Sequence, residues 1–215
     1  MDWRRMRRSR AWGLPLGLLC LFVAGPAFGA DTATSLAASA RAECEAGRRA
    51  AEREDRKQHF EHGQALAERA VALDDNYADA HFAVFCNMGE LMRLDGETLS
   101  GAIGLRRLMA ELDRTLELDP QHADALSSKG QLLLRLPRLL GGDAEKGEAM
   151  LRRAIQIDPN AFQSRIMLAK TCEARGDRAE ALAFATRALQ IAREQGRADK
   201  VAEAQATLAE LRASR

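Results

Sequence analysis

AERAVALDDNYADAH, Ala67–His81, decides how this chain is read, because it comes back. LDRTLELDPQHADAL (112–126) and LRRAIQIDPNAFQSR (151–165) repeat its pattern of apolar positions, then Asp, then Asp or Pro. FATRALQIARE (184–194) repeats its opening. The apolar residue at the end of each run falls at Leu73, Leu118, Ile157 and Ile191, at spacings of 45, 39 and 34 residues. Ala, Leu, Glu and Arg dominate the chain, and aromatic residues make up only 5% of it, which is the composition of helices. A helical pattern returning at such an interval means small units that bury their apolar faces by stacking on one another.

The two longer spacings locate insertions. Gly176-Asp177 opens the last repeated helix, and Gly142-Asp143 stands at the same distance before the end of its own unit. An Asp there caps the helix that follows, and a Gly accepts the backbone angles of the helix that ends. LPRLLGGDAEKG (136–147) therefore reads as a repeat turn carrying extra residues near Leu136–Leu140. Pro137 must end or kink the preceding helix, and Leu136, Leu139 and Leu140 are expected out of water. No strand precedes the glycines and no Gly-Lys-Ser/Thr follows, so this is no nucleotide loop; the start of the next helix keeps only the option of a weaker anion nest. The longer excess lies near RLDGETLSGAI (93–103), expected to form an extra helical turn and a loop on the same edge of the array. Insertions gathered on one edge can build a binding rim or be tolerated loop drift.

The 34-residue beat resembles the tetratricopeptide repeat, a pair of antiparallel helices. Leu168, Ala169 and Cys172 stand at its large-small-large positions, Ala181 and Ala188 at its small ones, and Pro120 and Pro159 at its closing proline. The resemblance implies an all-α fold, a right-handed superhelical array of about four helix pairs with a C-terminal capping helix. More narrowly, NYADAHFAVFCNMGELMRLDG with RRLMAELDRTLELDP is similar to regulator-of-microtubule-dynamics proteins and their bacterial relatives. LPRLLGGDAEKGEAMLRRAIQIDP is similar to secreted bacterial repeat proteins, including the partner subunit of some tripartite (TRAP) periplasmic transporters. These relatives imply export and binding without catalytic residues; the microtubule role does not carry over.

The N-terminus has the form of a secretory signal peptide. Arg4, Arg5, Arg7, Arg8 and Arg10 precede the apolar run LPLGLLCLFVA (14–24) and the small-residue exit GPAFGA (25–30). Residues 1–29 are expected to be removed, the run being short against the ~20 apolar residues of a bilayer span. The chain is then periplasmic and without stable membrane insertion; an uncleaved N-terminal anchor is the alternative. Loss of residues 1–29 changes the formal charge from +1 to −3, which leaves no basic surface for nucleic acid. Three cysteines remain, Cys44, Cys86 and Cys172. An odd number with no Cys-x-x-Cys suggests neither a disulfide framework nor a zinc site, so single buried thiols are the plain reading and one disulfide the other.

Residues 30–39 read as a flexible lead and 40–215 as the repeat domain. The helices are expected at Ala40–Asp55, with Ala50 and Ala51 at packing positions, then Lys57–Leu73, Asp79–Arg93, Leu105–Leu118 and Ala123–Leu136. Glu145–Ile157, Ala161–Ala174, Arg178–Gln195 and the capping Arg197–Arg212 complete the series.

Reactive constellations are missing from this reading. His59 and His62, with Glu54 and Glu61 near, form the one conceivable metal pair, and an exposed polar face explains them as well. Ser127-Ser128-Lys129 has the wrong spacing for a serine–lysine nucleophile. No carboxylate pair sits in an apolar run that would shift its acidity. The chain reads as a non-enzyme with no cofactor and no metal. The concave wall of such an array comes from the first helix of each pair. The resemblance places Asp79, Phe82, Cys86 and Glu90 there, then Ser127, Gln131, Leu134 and Arg135, then Gln163, Ile166, Lys170 and Glu173. Phe82, Leu134 and Ile166 would be apolar anchors for an extended peptide or a helix. The expected function is an exported scaffold binding a protein or peptide. The alternative is a small-ligand or transporter-accessory protein, with a closed pocket walled by Leu136, Leu139 and Leu140.

Overall fold

The computed structural model describes residues 32–96 and 102–213; the expected signal peptide and residues 97–101 of the longer insertion lie outside them. Nine α-helices and no strand are found among the described residues: α1 (Ala33–Arg49), α2 (Arg53–Leu73), α3 (Ala78–Leu94), α4 (Ala102–Leu118), α5 (Ala123–Arg135), α6 (Ala144–Ile157), α7 (Phe162–Ala174), α8 (Arg178–Glu194) and α9 (Ala198–Ala213). They stack as antiparallel pairs α1–α2, α3–α4, α5–α6 and α7–α8, closed by α9. None is long and apolar enough to cross a membrane.

The recurring Asp explains the turns between pairs. Asp74, Asp119 and Asp158 each accept a hydrogen bond from the backbone N–H two residues on, at 2.9, 2.9 and 2.8 Å. The side chain mimics a backbone turn there, which releases one helix and starts the next. Within pairs the turns use the predicted caps. Asp143 accepts from the Lys146 N–H at 3.0 Å and Asp177 from the Glu180 N–H at 3.2 Å. Gly176 supplies the left-handed residue before Asp177 with φ 85°, and the Asp177 N–H closes on the Cys172 carbonyl at 2.9 Å.

The insertion at Leu136–Leu140 makes the equivalent turn longer. Leu136 ends α5 and Pro137 leads into a single 3₁₀ turn, Arg138–Leu140. Gly141 takes the left-handed conformation, φ 87°. Gly142 passes so close to the Leu136 carbonyl that a side chain there would collide with it. Of the three leucines only Leu136 is buried. Leu139 is 95% exposed and Leu140 52%, contrary to the expectation that all three leave water.

Small residues set the spacing of the pairs. Ala181, Ala185, Ala188 and Ala192 of α8 are fully buried, with Leu168, Ala169 and Cys172 of α7. Gly130 and Gly147 face each other across α5 and α6, each backbone lying within 2.8 Å of where the other would place a Cβ. Leucine and phenylalanine fill the remaining space; Phe60, Leu112 and Leu151 have no exposure at all.

The N-terminal end departs from expectation. Helix α1 begins at Ala33, so the stretch read as a flexible lead is mostly helix. Thr32 and Ser35 form a reciprocal capping box at 3.0 and 3.1 Å. Leu36 and Ala37 then pack against Ala70 and Ala80. The helix also ends earlier, and Ala50 and Ala51 lie in the turn rather than at packing positions. The α1–α3 junction is also covalent. Cys44 of α1 and Cys86 of α3 form a disulfide, Cα–Cα 6.3 Å, beside Phe60, Leu91 and Leu94. Single thiols are the plain reading of the sequence for all three cysteines; among the described residues only Cys172 is free.

Candidate functional site: the concave groove

One groove of about 860 Å³ runs along the concave face. Its walls come from α1, α3, α5, the start of α7 and the start of α9, with Arg56 from the first turn of α2. Seven of the twelve residues expected there line it: Phe82, Cys86, Glu90, Ser127, Gln131, Arg135 and Gln163.

The other five are placed elsewhere. Ile166 is 1% exposed and packs with Phe162, Ile191 and Ala204, beneath α8 and α9. Leu134 turns toward Leu151, Met167 and Leu168 between α5, α6 and α7. Neither is an available anchor. Lys170 is exposed and Glu173 half-buried on α7, away from the groove lining. For Ile166 the capping helix is the cause: α9 packs on the face of α7 that carries it. Asp79 also lies off the lining, in the ion-pair network beside it. Phe82 lines the groove but is only 6% exposed, because its ring belongs to the core with Leu112 and Ala125. Phe85 and Leu132, both half-buried, offer more apolar surface to an incoming chain.

Arginines from α1 hold the walls together. Arg41 bridges Asp79 at 2.9 Å and Asp124 at 2.6 Å, and its guanidinium lies 5.1 Å from the centre of the Phe82 ring. One side chain thus ties α1, α3 and α5. His122 accepts from the Ala125 N–H through Nδ1 at 3.2 Å and donates from Nε2 to Asp79 at 3.2 Å. Partial burial alone would raise the Asp79 carboxyl, but the His122 hydrogen bond and the Arg41 charge hold it below its ordinary value. Further along, Arg48 donates to the buried Glu90 at 2.7 Å, joining α1 to α3 beside the disulfide. Ser164 donates to Ser127 at 2.7 Å, joining α7 to α5. Sequence reasoning misses α9 because it reads the closing helix as a solvating cap, and misses α1 because the resemblance places groove residues only on the three later first helices. The basic residues on the turns of Ala40–Arg49 were the available signal.

The other constellations resolve into packing. His59 and His62 meet Glu43 of α1, at 2.6 and 3.2 Å, rather than Glu54 or Glu61. The hydrogen bond from His59 holds the Glu43 carboxyl below its ordinary value against the effect of burial. No group of three or more His, Cys, Asp or Glu placed to hold a metal ion occurs among the described residues. Lys129 pairs with Asp113, not with Ser127. The anion nest allowed at the start of α6 is filled by the Asp143 side chain, while the Gly141 and Gly142 N–H groups bond to the Arg138 and Pro137 carbonyls. The Cys172 thiol donates to Glu180 at 3.1 Å and is pushed up to about 12, first by desolvation. It is no nucleophile.

No family model matches the chain, and no curated protein does. The narrower resemblances therefore rest on the quoted residues alone. Solved structures do match. TTC0263, a thermophilic tetratricopeptide repeat protein of Thermus thermophilus, aligns with a TM-score of 0.59 at 20% identity, over 82% of this chain and 81% of that one. PilF of Pseudomonas aeruginosa aligns with a TM-score of 0.50 at 15% identity, over 81% of this chain and 77% of that one. The fold is a tetratricopeptide-type solenoid.

Proposed function

We propose that the chain is a non-catalytic exported scaffold that captures a protein or peptide segment along its concave groove. The observation that carries this reading is the groove itself: one continuous concave surface built by five helices, with its polar walls braced by ion pairs between repeats. Such bracing reduces the ordering cost that binding would otherwise incur. Phe85 and Leu132 supply apolar contact, and Gln131 and Gln163 supply amides able to bond an extended backbone. Export is supported by the signal-like N-terminal sequence and by the Cys44–Cys86 bond, since disulfides persist in oxidising compartments.

The ligand-pocket alternative loses its walls, because Leu139 and Leu140 point into solvent. The test is capture of periplasmic proteins by the chain and by two variants, Phe85→Ala and Arg135→Glu. Both should reduce recovery of a specific binder several-fold while leaving the melting temperature within about 3 °C. Equal recovery by both variants would move the binding surface off the groove. Phe82→Ala is a poor probe, since that ring is structural.

A further inference from the structure

We infer that the hairpin tip between α5 and α6 rests on an anionic lipid surface, with Leu139 and Leu140 entering its outer apolar layer. The inference does not depend on what the groove binds. Four large hydrophobic residues stand exposed among the described residues, and three of them belong to the two insertions: Ile103 closes the longer one, and Leu139 and Leu140 lie in the shorter. Within-pair turns fall on one edge of the array, because the first helices of successive pairs run the same way. The residues that a regular repeat lacks are thus the ones that give this edge its apolar surface.

A built turn holds Leu139 and Leu140 outward. The Leu140 and Gly142 N–H groups donate to the Pro137 carbonyl at 2.9 and 3.1 Å, and the Gly141 N–H donates to the Arg138 carbonyl at 3.1 Å. Pro137 has no N–H to satisfy. Unsatisfied backbone groups are what keep most loops out of an apolar layer, and most donors of this tip are already satisfied within it.

Charge points the same way. From Leu134 to Gly142 the chain carries Arg135 and Arg138 and no carboxylate. Both arginines are exposed, and neither makes an ion pair with another described residue. Asp143 is set back from the tip: its N–H bonds the Leu133 carbonyl at 3.0 Å, and its side chain caps α6. Glu145 follows on α6, which runs back along α5 so that Gly147 reaches Gly130. Asp177 on the neighbouring turn is likewise engaged as a cap. An apolar projection with a basic flank suits a bilayer with anionic headgroups. It suits a second copy of the chain less well, since two leucines on one short turn offer far less than the ~800 Å² per partner of a stable protein interface.

The experiment is sedimentation of residues 30–215 with vesicles of phosphatidylcholine, alone or mixed with phosphatidylglycerol. That piece keeps all nine described helices, which pack into one compact unit. It should pellet with the mixed vesicles, weakly and reversibly. Leu139→Ser with Leu140→Ser should lower the partition coefficient about tenfold. Arg138→Gln should lower it about fivefold, on the mixed vesicles only, and raising salt from about 50 to 300 mM should act in the same direction. Both tryptophans of the chain, Trp3 and Trp12, lie before residue 30. Leu139→Trp therefore supplies a single fluorophore, whose emission should move to shorter wavelength on the mixed vesicles. No pelleting, or equal pelleting by the double serine variant, would overturn the inference. Leucine-dependent binding that is equal on both kinds of vesicle would overturn the anionic preference. Self-association of the chain that is lost on Leu139→Ser would assign the leucines to a second copy, and overturn the inference as well.

Discussion

Between α1 and α3, neighbouring repeats are joined by a disulfide, by the Arg48–Glu90 pair and by Asn87, whose amide donates to the Ala40 carbonyl at 3.0 Å and the Ala83 carbonyl at 2.9 Å. Between α7 and α9 the same junction is apolar: Ile166, Ala169 and Cys172 pack with Ala204, Leu208 and Leu211 through the small residues of α8. The contact is similar in kind and the chemistry opposite. In a solenoid each unit touches only its neighbours, so stability is held locally and each junction should answer to its own perturbation.

The largest effect should follow from removing the disulfide. The bond spans 42 residues, and closing a loop of that length in the unfolded chain corresponds to about 4 kcal/mol. Cys44→Ala with Cys86→Ala, or a reductant on the unaltered chain, should lower the denaturant midpoint and open α1 to protease first. A reductant without effect on either measurement would mean that the polar contacts suffice. The second effect belongs to the opposite end. Ile191 has no exposure and joins α8 to α7 and α9. Ile191→Ala should cost about 3 kcal/mol, the range for a buried branched residue replaced by a cavity, and should loosen α9 with or without reductant. Equal loosening of α1 in that variant would show that the two ends unfold together.

Acid should discriminate between the ends more gently. Arg152 grips Glu180 at 2.8 Å, with Arg175 at 3.2 Å, and the Arg152 hydrogen bond chiefly holds the Glu180 carboxyl down to about 2. A carboxyl depressed on folding stabilises above its unfolded value near 4.5 and loses that contribution as pH falls toward about 2. Glu180 is nearly a third exposed, so the contribution is no more than about 1 kcal/mol. Glu180→Gln should remove it at neutral pH and flatten the decline of stability between pH 4.5 and 2. An unchanged slope would assign the acid sensitivity to other carboxylates, among them Glu43 and Asp79.

What can be read from residue order is whatever recurs. The aligned Asp74, Asp119 and Asp158 make one turn, Asp143 and Asp177 one cap, and the alanines of α8 lie where the period puts them. What cannot be read occurs once. Cys44 meets Cys86 because α1 stacks on α3, and nothing local to either cysteine records that. An ideal repeat puts Ile166 on the concave wall because it has no last member; here α9 covers that residue. Thr32 and Ser35 start α1 before the alanine-rich stretch that suggests a helix.

Leu139 gives the smallest expected effect and the sharpest contrast with its neighbour Leu136. Both are leucines in one short turn, three positions apart. Leu136 is 6% exposed, at the end of α5, and its carbonyl crowds Gly142. Leu139 is 95% exposed on the 3₁₀ turn. Hydrophobic stabilisation follows area removed from water, and Leu139 removes almost none. Leu139→Ser should therefore change stability by less than about 0.5 kcal/mol, whereas Leu136→Ala should cost about 2 kcal/mol or more. Thermal unfolding of the two variants side by side makes the comparison. A clear loss in Leu139→Ser would mean that this turn folds against the array in solution, and would return all three leucines of the insertion to the core.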